Sequence, residues 1–309
     1  MSTRKTTQSR PIQSTLILWT VAVLAKLPYR LARLIGHAAG LASSFIPTRE
    51  HRVTARNIDW CFPEWKEQER RKLIRSSLVE DGRNLFESGA VLKWPLARLK
   101  ELEVEAEGEE LLRAAVSSGR GAILLLPHLG NWEMLMPFLT PRYPFVSLYR
   151  PPKLRGLERF LVESRERFAS CEMVASGPGG LKKLYRSLEE GRLIIILPDQ
   201  EPVERSGVFA PFFGVPALTM TLVQRLTRKL GCPSVFAWPH RTAEGRFRVR
   251  FREPPEGLGD PDPIVAATRL NEGVESCVRT CPEQYTWSYK RFRTRPPIEV
   301  ATRELGHFY

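Results

Sequence analysis

The residues best placed to do chemistry lie in one short segment, Leu124-Leu-Leu-Pro-His128-Leu-Gly-Asn-Trp-Glu133-Met. An apolar run here carries a histidine to the end of a buried strand, where ligands and catalytic groups collect in open parallel sheets. Gly130 permits a tight turn, and a helix beginning near Asn131 carries Glu133 in its first turn. From there a carboxylate can reach back to one imidazole nitrogen, fix its tautomer and stabilise the imidazolium. The other nitrogen is then free to take a proton from an attacking hydroxyl. No serine or cysteine stands beside His128, so the pattern favours direct attack by an acceptor alcohol over a covalent acyl-enzyme. A zincin is disfavoured because His-Glu-x-x-His is absent. The competing reading is a plain surface or helix-start histidine, since a glutamate five residues after a histidine also arises by chance.

Such a site needs a sheet to carry it. Short apolar runs recur at Gly121–Leu126, Pro144–Tyr149, Arg192–Leu197 and Ser234–Trp238, and continuous runs of this length suit strands buried on both faces. Helical spacing lies between them, at Leu157, Phe160, Leu161 and Phe168, at Leu181, Leu184, Tyr185 and Leu188 before Gly191, and from Ala217 to Leu230 before Gly231. The alternation predicts an α/β fold, with a mostly parallel central sheet flanked by helices on both faces. Arg246-Phe-Arg-Val-Arg-Phe-Arg252 alternates strictly and reads as a half-exposed edge strand, its arginines guarding the edge. Upstream, residues 67–92 read as one long helix or a helix pair, with Leu73, Ile74, Leu78, Leu85 and Phe86 on one side. Ser176-Gly-Pro-Gly-Gly180 lacks the Gly-Lys-Ser/Thr ending of a phosphate loop and reads as a turn opening a helix.

At 309 residues, with 42% hydrophobic and 26% charged, the chain can build a packed core, which excludes global disorder and collagen-like repetition. Its five cysteines are scattered without CxxC pairs, which fits buried or free thiols rather than a disulfide framework or a structural zinc site. The net charge of +13 is uneven: residues 1–56 hold nine basic side chains against one acid, Glu50. Between those charges runs an apolar stretch, Leu16–Ala25, about half the ~20 residues a bilayer span needs. An amphipathic stretch follows, with Leu27, Leu31, Leu34 and Ile35 apolar and Arg30 and Arg33 between them. A signal-peptide cleavage site is disfavoured because Ala38-Ala39-Gly40 lies far behind the apolar core. The expectation is an uncleaved helix in or on a membrane with its arginines at headgroup level; a buried core helix is the alternative. A nucleic-acid-binding protein would also be basic, but no binding motif is present and the charge concentrates beside the apolar helix.

His128-Leu-Gly-Asn-Trp-Glu133 resembles the His-x-x-x-x-(Asp/Glu) signature of the glycerolipid-type acyltransferases. Further segments narrow the resemblance: Asn57-Ile-Asp-Trp-Cys-Phe-Pro-Glu64, Glu67-Gln-Glu-Arg-Arg71, Tyr149-Arg-Pro151, Pro198-Asp-Gln200, Phe209-Ala-Pro-Phe-Phe-Gly214, Pro282-Glu-Gln-Tyr-Thr-Trp287 and Lys290-Arg-Phe-Arg-Thr-Arg-Pro296. In this order they are similar to the bacterial lipid A biosynthesis (late) acyltransferases of the lauroyl/myristoyl type, from about residue 15 to 297. The resemblance implies an inner-membrane enzyme with a cytoplasmic catalytic domain. It would transfer a fatty acyl group from acyl carrier protein to a hydroxyl of the anionic Kdo-bearing lipid A precursor, with no metal or nucleotide cofactor and no nucleic-acid partner. His128 is then the general base, Glu133 its orienting partner, and Asn131 a substrate-binding residue. Arg150 is the candidate for binding a phosphate or stabilising an oxyanion, against a purely structural arginine.

Asp199 and Gln200 end a strand on the same sheet edge as His128, where they line the site or, for Asp199, cap the next turn. In the following loop Arg205 could meet phosphate, and Phe209, Phe212 and Phe213 either floor an acyl channel or pack the core. Lys290, Arg291, Arg293 and Arg295 could meet headgroup phosphates or acyl carrier protein, or form a solvated face. The expected organisation is a basic tail and membrane-anchor helix over 1–46, an acyltransferase domain over 47–297 and a tail over 298–309. A sister enzyme with the same fold would act instead on a lysophospholipid, ornithine lipid or other glycolipid.

Overall fold

A computed structural model of the chain describes residues 11–152, 154–168, 170–203, 206–296 and 309. The expected parallel sheet forms from β1 (Ala122–Leu125), β2 (Phe145–Tyr149), β3 (Cys171–Ala175), β4 (Leu193–Ile196), β7 (Ser234–Arg241) and β8 (Phe247–Arg252), in the spatial order β3-β2-β4-β1-β7-β8. All neighbours are parallel except β8, which runs antiparallel to β7. A separate hairpin pairs β5 (Gly207–Phe212) with β6 (Val215–Met220). The central strands are buried on both sides, as their unbroken apolar runs require. Ile123, Leu125, Ile194 and Ile196 join one core, while Leu124, Leu126, Leu193 and Ile195 join the opposite one.

The helices are α1 (Pro11–Leu24), α2 (Tyr29–Ser43), α3 (Arg49–Cys61), α4 (Glu67–Lys93), α5 (Leu96–Lys100), α6 (Glu109–Ser117), α7 (Leu135–Leu139), α8 (Arg155–Glu166), α9 (Pro178–Glu189), α10 (Leu222–Leu230) and α11 (Pro263–Val278). The first sheet face is covered by α9, α10 and α11 through Leu184, Leu188, Val223, Leu226, Leu270 and Val274. The other is covered by α6 and α7 through Leu112, Ala115, Leu135 and Leu139. Residues 67–93 form one helix, and Leu85, expected on its inner side, is exposed. All five cysteines are free and buried.

Two elements differ from expectation. Residues 215–220 are a strand, so the helix read from Ala217 begins only at Leu222. Phe213 and Gly214 both adopt positive φ, 49° and 74°. A two-residue turn of that kind fits the twist of a hairpin, which folds 215–220 back onto 207–212. Strand β3 lay unread because Cys-Glu-Met-Val-Ala is short and interrupted by charge. The alternating strand β8 does lie at the sheet edge, with Phe247, Val249 and Phe251 inward, and the segment 103–107 pairs along its outer side.

Where the N-terminal membrane helix is expected, two helices form. Pro28 separates α1 from α2, and no helix among the described residues is long and apolar enough to cross a membrane. Instead α2 packs closely along α4. A Cβ at Gly36 would lie 2.7 Å from the Gly82 carbonyl oxygen, and one at Gly40 would lie 2.3 Å from that of Leu78. Leu16, Trp19, Leu31, Leu34, Phe45 and Ile46 remain exposed on the outer side of this layer. Arg33 turns inward, donating from Nη1 to the Glu244 carbonyl oxygen at 2.7 Å, rather than standing outward as expected.

Candidate active site

The two chain segments richest in candidate residues leave the carboxyl ends of adjacent parallel strands. β1 leads through Leu126 and Pro127 to His128, and its neighbour β4 leads through Leu197 and Pro198 to Asp199 and Gln200. This juxtaposition builds the site. The Asp199 carboxylate accepts the His128 backbone N–H on Oδ2 and the ring Nδ1–H on Oδ1, each at 2.8 Å. The Gln200 side-chain amide donates to His128 Nε2 at 3.0 Å. The proton is therefore held on Nδ1, and the lone pair on Nε2 accepts from Gln200.

Burial alone would push the Asp199 carboxyl up, but His128 and the hydrogen bonds outweigh it and hold the group below the ordinary aspartate value. Tyr285 stands against the same carboxylate. Its phenol is pushed far up by burial, then by the Asp199 charge and their hydrogen bond, and stays protonated. Trp132 packs its ring edge against the imidazole, with centroids 5.6 Å apart.

Glu133 was expected to hold His128, and here the geometry corrects the expectation. A one-turn 3₁₀ helix, Trp132–Met134, does carry it in its first turn. Its carboxylate, however, is gripped by Arg165 of α8, from Nε at 3.2 Å and Nη2 at 2.5 Å. The Arg165 guanidinium also lies 5.3 Å from the Trp132 ring centroid. Burial disfavours this guanidinium's charge, but Glu133 more than compensates, leaving its pKa above the ordinary arginine value. His128 is served by Asp199, which reaches it from the neighbouring strand.

Asn131 is also redirected. It is buried and donates to Glu87 Oε2 at 3.0 Å, and it does not line the cavity beside His128. Glu87 belongs to a buried network around Arg241, which donates to Glu80 at 2.7 Å, to Asn84 Oδ1 at 2.6 Å and to Glu87. Tyr29 donates to Glu87 at 3.0 Å. Asn84 donates in turn to the Gly130 carbonyl oxygen at 3.2 Å, and the Gly130 N–H to that of Gln284 at 2.9 Å. Gly130 itself has φ +65°, and a Cβ there would lie 1.9 Å from the Pro239 carbonyl oxygen, so only glycine fits. The network pins the turn that carries His128. Removing one charged partner from a buried set of this kind costs about 3–5 kcal/mol.

A cavity of about 760 Å³ opens beside His128, within the ~300–1,000 Å³ range of small-molecule sites. Its walls are largely apolar, with Met136, Leu161, Met173, Leu181, Met220 and Leu222 among them. His128, Gln200, Arg150, Arg165 and Arg225 supply its polar edge. Arg150 and Arg225 are exposed, and among the described residues neither side chain makes a hydrogen bond or ion pair, in contrast to that of Arg165. Phe209, Phe212 and Phe213 do not line this cavity; Phe212 and Phe213 pack with Phe62, Tyr285, Trp287 and Phe292 in the core. Arg205 lies outside the described residues.

The C-terminal basic run divides. Arg291 is buried on Leu218 and Thr219, Arg293 pairs with Glu201 at 3.0 Å, and Lys290 stays partly exposed.

A histidine base with an apolar cavity beside it and free guanidinium groups at its rim suits acyl transfer to a hydroxyl. Comparison with known proteins bears on that chemistry. Residues 3–294 match the family described as bacterial lipid A biosynthesis acyltransferase. The chain belongs to this family. It is 30% identical over 283 residues to the lipid A biosynthesis lauroyltransferase of Escherichia coli strain K12, covering 91% of this chain and 90% of that protein. The palmitoleoyltransferase of the same organism is 29% identical over 284 residues, 91% of this chain and 90% of its own length. The myristoyltransferase is 25% identical over 293 residues, 90% and 84%. This lipid A acyltransferase family member is thus an acyltransferase enzyme, and its relatives differ from one another in the acyl group they are named for.

What spacing alone missed in the acyltransferase are Arg165, Tyr285 and the Glu80–Glu87–Arg241 set. Arg165 sits in a charge-rich helix, where Arg159–Glu163 is an ordinary exposed pair. Nothing in the local pattern separates the two arginines.

Proposed function

We propose that the chain transfers a fatty acyl group from the thioester of acyl carrier protein to a hydroxyl of the Kdo-bearing lipid A precursor, with His128 as general base. The observation that carries this is the His128–Asp199 pair at the mouth of an apolar cavity, within a chain of this family. The acyl chain lies among the methionines and leucines of the cavity, where each buried methylene contributes about 0.8 kcal/mol. The acceptor hydroxyl takes the place of the Gln200 amide at His128 Nε2. As its oxygen attacks the thioester carbonyl, Nε2 takes the hydroxyl proton and Asp199 stabilises the imidazolium. The tetrahedral oxyanion then collapses, the C–S bond breaks, and the imidazolium proton goes to the departing thiolate.

Arg150 and Arg225, whose side chains have no partner among the described residues, serve phosphate groups of donor or acceptor at the rim. Glu133 acts by fixing Arg165 rather than His128. The exposed apolar side chains of α1 and α2, beside basic residues such as Lys26 and Arg30, support an enzyme seated on the cytoplasmic face of the inner membrane.

The test is to incubate purified protein with acyl carrier proteins bearing chains of different length and with the Kdo-bearing precursor, and to read products by mass spectrometry. One added acyl mass on the precursor is expected. Transfer to a lysophospholipid or aminolipid in its place would refute the lipid A acceptor and leave the chemistry standing.

A further inference from the structure

Helix α3 carries a second concave site that the transfer chemistry does not use. Thr48 caps it by accepting the His51 N–H at 3.1 Å, and the residues that follow divide cleanly by face. Val53, Thr54, Asn57, Ile58 and Cys61 are buried, while Arg49, Arg52 and Arg56 recur at helical spacing on the exposed side. Together with His51, Lys290 and Tyr309 they line a cleft of about 450 Å³.

Its charge is unbalanced. Asp59, the acidic lining residue, is already paired with Arg70 at 3.0 Å. Arg49 meets the exposed Glu50 at 3.3 Å, and Arg52 donates to the Pro47 carbonyl oxygen. Arg56 and Lys290 rest on the rings of Trp60 and Tyr309, 5.8 and 5.0 Å from the centroids. No buried carboxylate serves these four cations among the described residues.

Two connections place the cleft. On one side it follows directly on the exposed Phe45 and Ile46, so the apolar surface of the N-terminal helices gives way to cations at this edge. On the other, Asn57 donates to the Trp287 and Tyr289 carbonyl oxygens, each at 2.7 Å, and the Tyr289 hydroxyl accepts the Glu201 N–H at 2.9 Å. Glu201 lines the acyl cavity and follows Gln200. Hydrogen bonds through Asn57 and Tyr289 therefore connect the helix that lines this cleft to a residue of the reaction cavity.

We propose that the cleft binds an anionic group, phosphate or sugar carboxylate, of the lipid acceptor's headgroup while an acceptor hydroxyl is presented to His128. The inference rests on the proposed glycolipid acceptor. Concavity favours it over an acidic protein surface: guanidinium and ammonium groups converge on a volume that fits a compact polyanion, which forked donors hold well.

The test compares full-length wild type with the Arg52→Gln/Arg56→Gln pair and with Arg56→Lys, in neutral detergent micelles, after matching melting temperatures. Each lost charge-assisted contact is expected to raise the acceptor KM about tenfold, with kcat and the KM for acyl carrier protein unchanged. Arg56→Lys should recover part of the loss, and an acceptor stripped of phosphate and acidic sugar should show little difference between enzymes. Titration with inorganic pyrophosphate, read by calorimetry, should bind wild type and not the pair, independently of turnover. An active wild type whose acceptor KM is unchanged in the pair overturns the proposal. So does a rise confined to the KM for acyl carrier protein, which would make the cleft a protein-docking surface, or loss of binding only to phosphatidylglycerol vesicles, which would make it a general membrane contact. Wild type that acylates no acidic glycolipid would instead sink the proposed function.

Discussion

Replacing Asp199 by asparagine separates the geometry found here from a Glu133–His128 pairing. The carboxylate accepts two hydrogen bonds from one residue, the His128 N–H and the ring Nδ1–H. An amide in the same place has one accepting and one donating end. The backbone N–H can only donate, so the amide oxygen must face it, and the NH₂ then faces Nδ1. That forces Nδ1 to accept and moves the ring proton to Nε2, where it also opposes the Gln200 amide. The base is left without a lone pair for the incoming hydroxyl.

Loss of the corresponding aspartate from a Ser-His-Asp triad costs about 10⁴ in kcat, or ~5.4 kcal/mol at ~1.36 kcal/mol per decade. A fall of ~10³–10⁴ is expected here, with the KM for acyl carrier protein little changed because Asp199 does not line the acyl cavity. Steady-state kinetics with mass-spectrometric product detection would measure it. The reasoning fails if Asp199→Asn stays within about tenfold of wild type while Glu133→Gln abolishes turnover.

Further perturbations probe other parts. In a double-mutant cycle, Glu133→Gln and Arg165→Gln should be strongly non-additive, with a coupling of about 0.5–3 kcal/mol in kcat/KM, because each acts through the other; additive effects would break the pairing. Met136→Ala should lengthen the preferred acyl chain and Met173→Phe shorten it, each methylene shifting selectivity about fourfold (~0.8 kcal/mol) in competition assays with mixed acyl carrier proteins. Asp199 titrates below its ordinary value when folded, so its pairing stabilises the protein above about pH 4 and is lost as pH falls through the lowered folded value. The melting-temperature gap between wild type and Asp199→Asn should close on acidification. Asp81 has the opposite sign: burial pushes it up to about 6, with the Ser288 hydrogen bond opposing and the Glu80 charge adding. Stability should therefore decline from about pH 4 to pH 6 on its account. Asp81→Asn should melt higher than wild type at pH 8, by ~2–4 °C per kcal/mol, with the gap closing only below about pH 4, where the carboxyl is protonated in both states.

The central strands were legible because β1, β2, β4 and β7 are buried on both faces and so must be continuously apolar. The position of His128 followed from the strand that ends before it. The partner of His128 did not, because Asp199 lies seventy-one residues away and becomes a neighbour only through the pairing of β4 with β1. Residue spacing ranks near carboxylates first, and Glu133 is near; the crossing that brings α8 and Arg165 over it is invisible in the local sequence. Asn131 reads as a polar residue beside the base, yet the buried Glu87 below it decides its direction. The β5–β6 hairpin was hidden for a related reason: Ala217–Leu230 has helical spacing, and the Phe213–Gly214 turn overrides it for the first four residues.

The most direct test of the account is product analysis of His128→Ala beside wild type, on the Kdo-bearing precursor with an excess of acyl-acyl carrier protein. Wild type is predicted to add one ester-linked acyl group per precursor, to release one carrier thiol for each, and to show no acylated protein by intact mass; His128→Ala is predicted to do neither transfer nor release. Transfer by His128→Ala at the wild-type rate, or an acyl adduct on the protein during turnover, would contradict a histidine base acting directly on the acceptor hydroxyl.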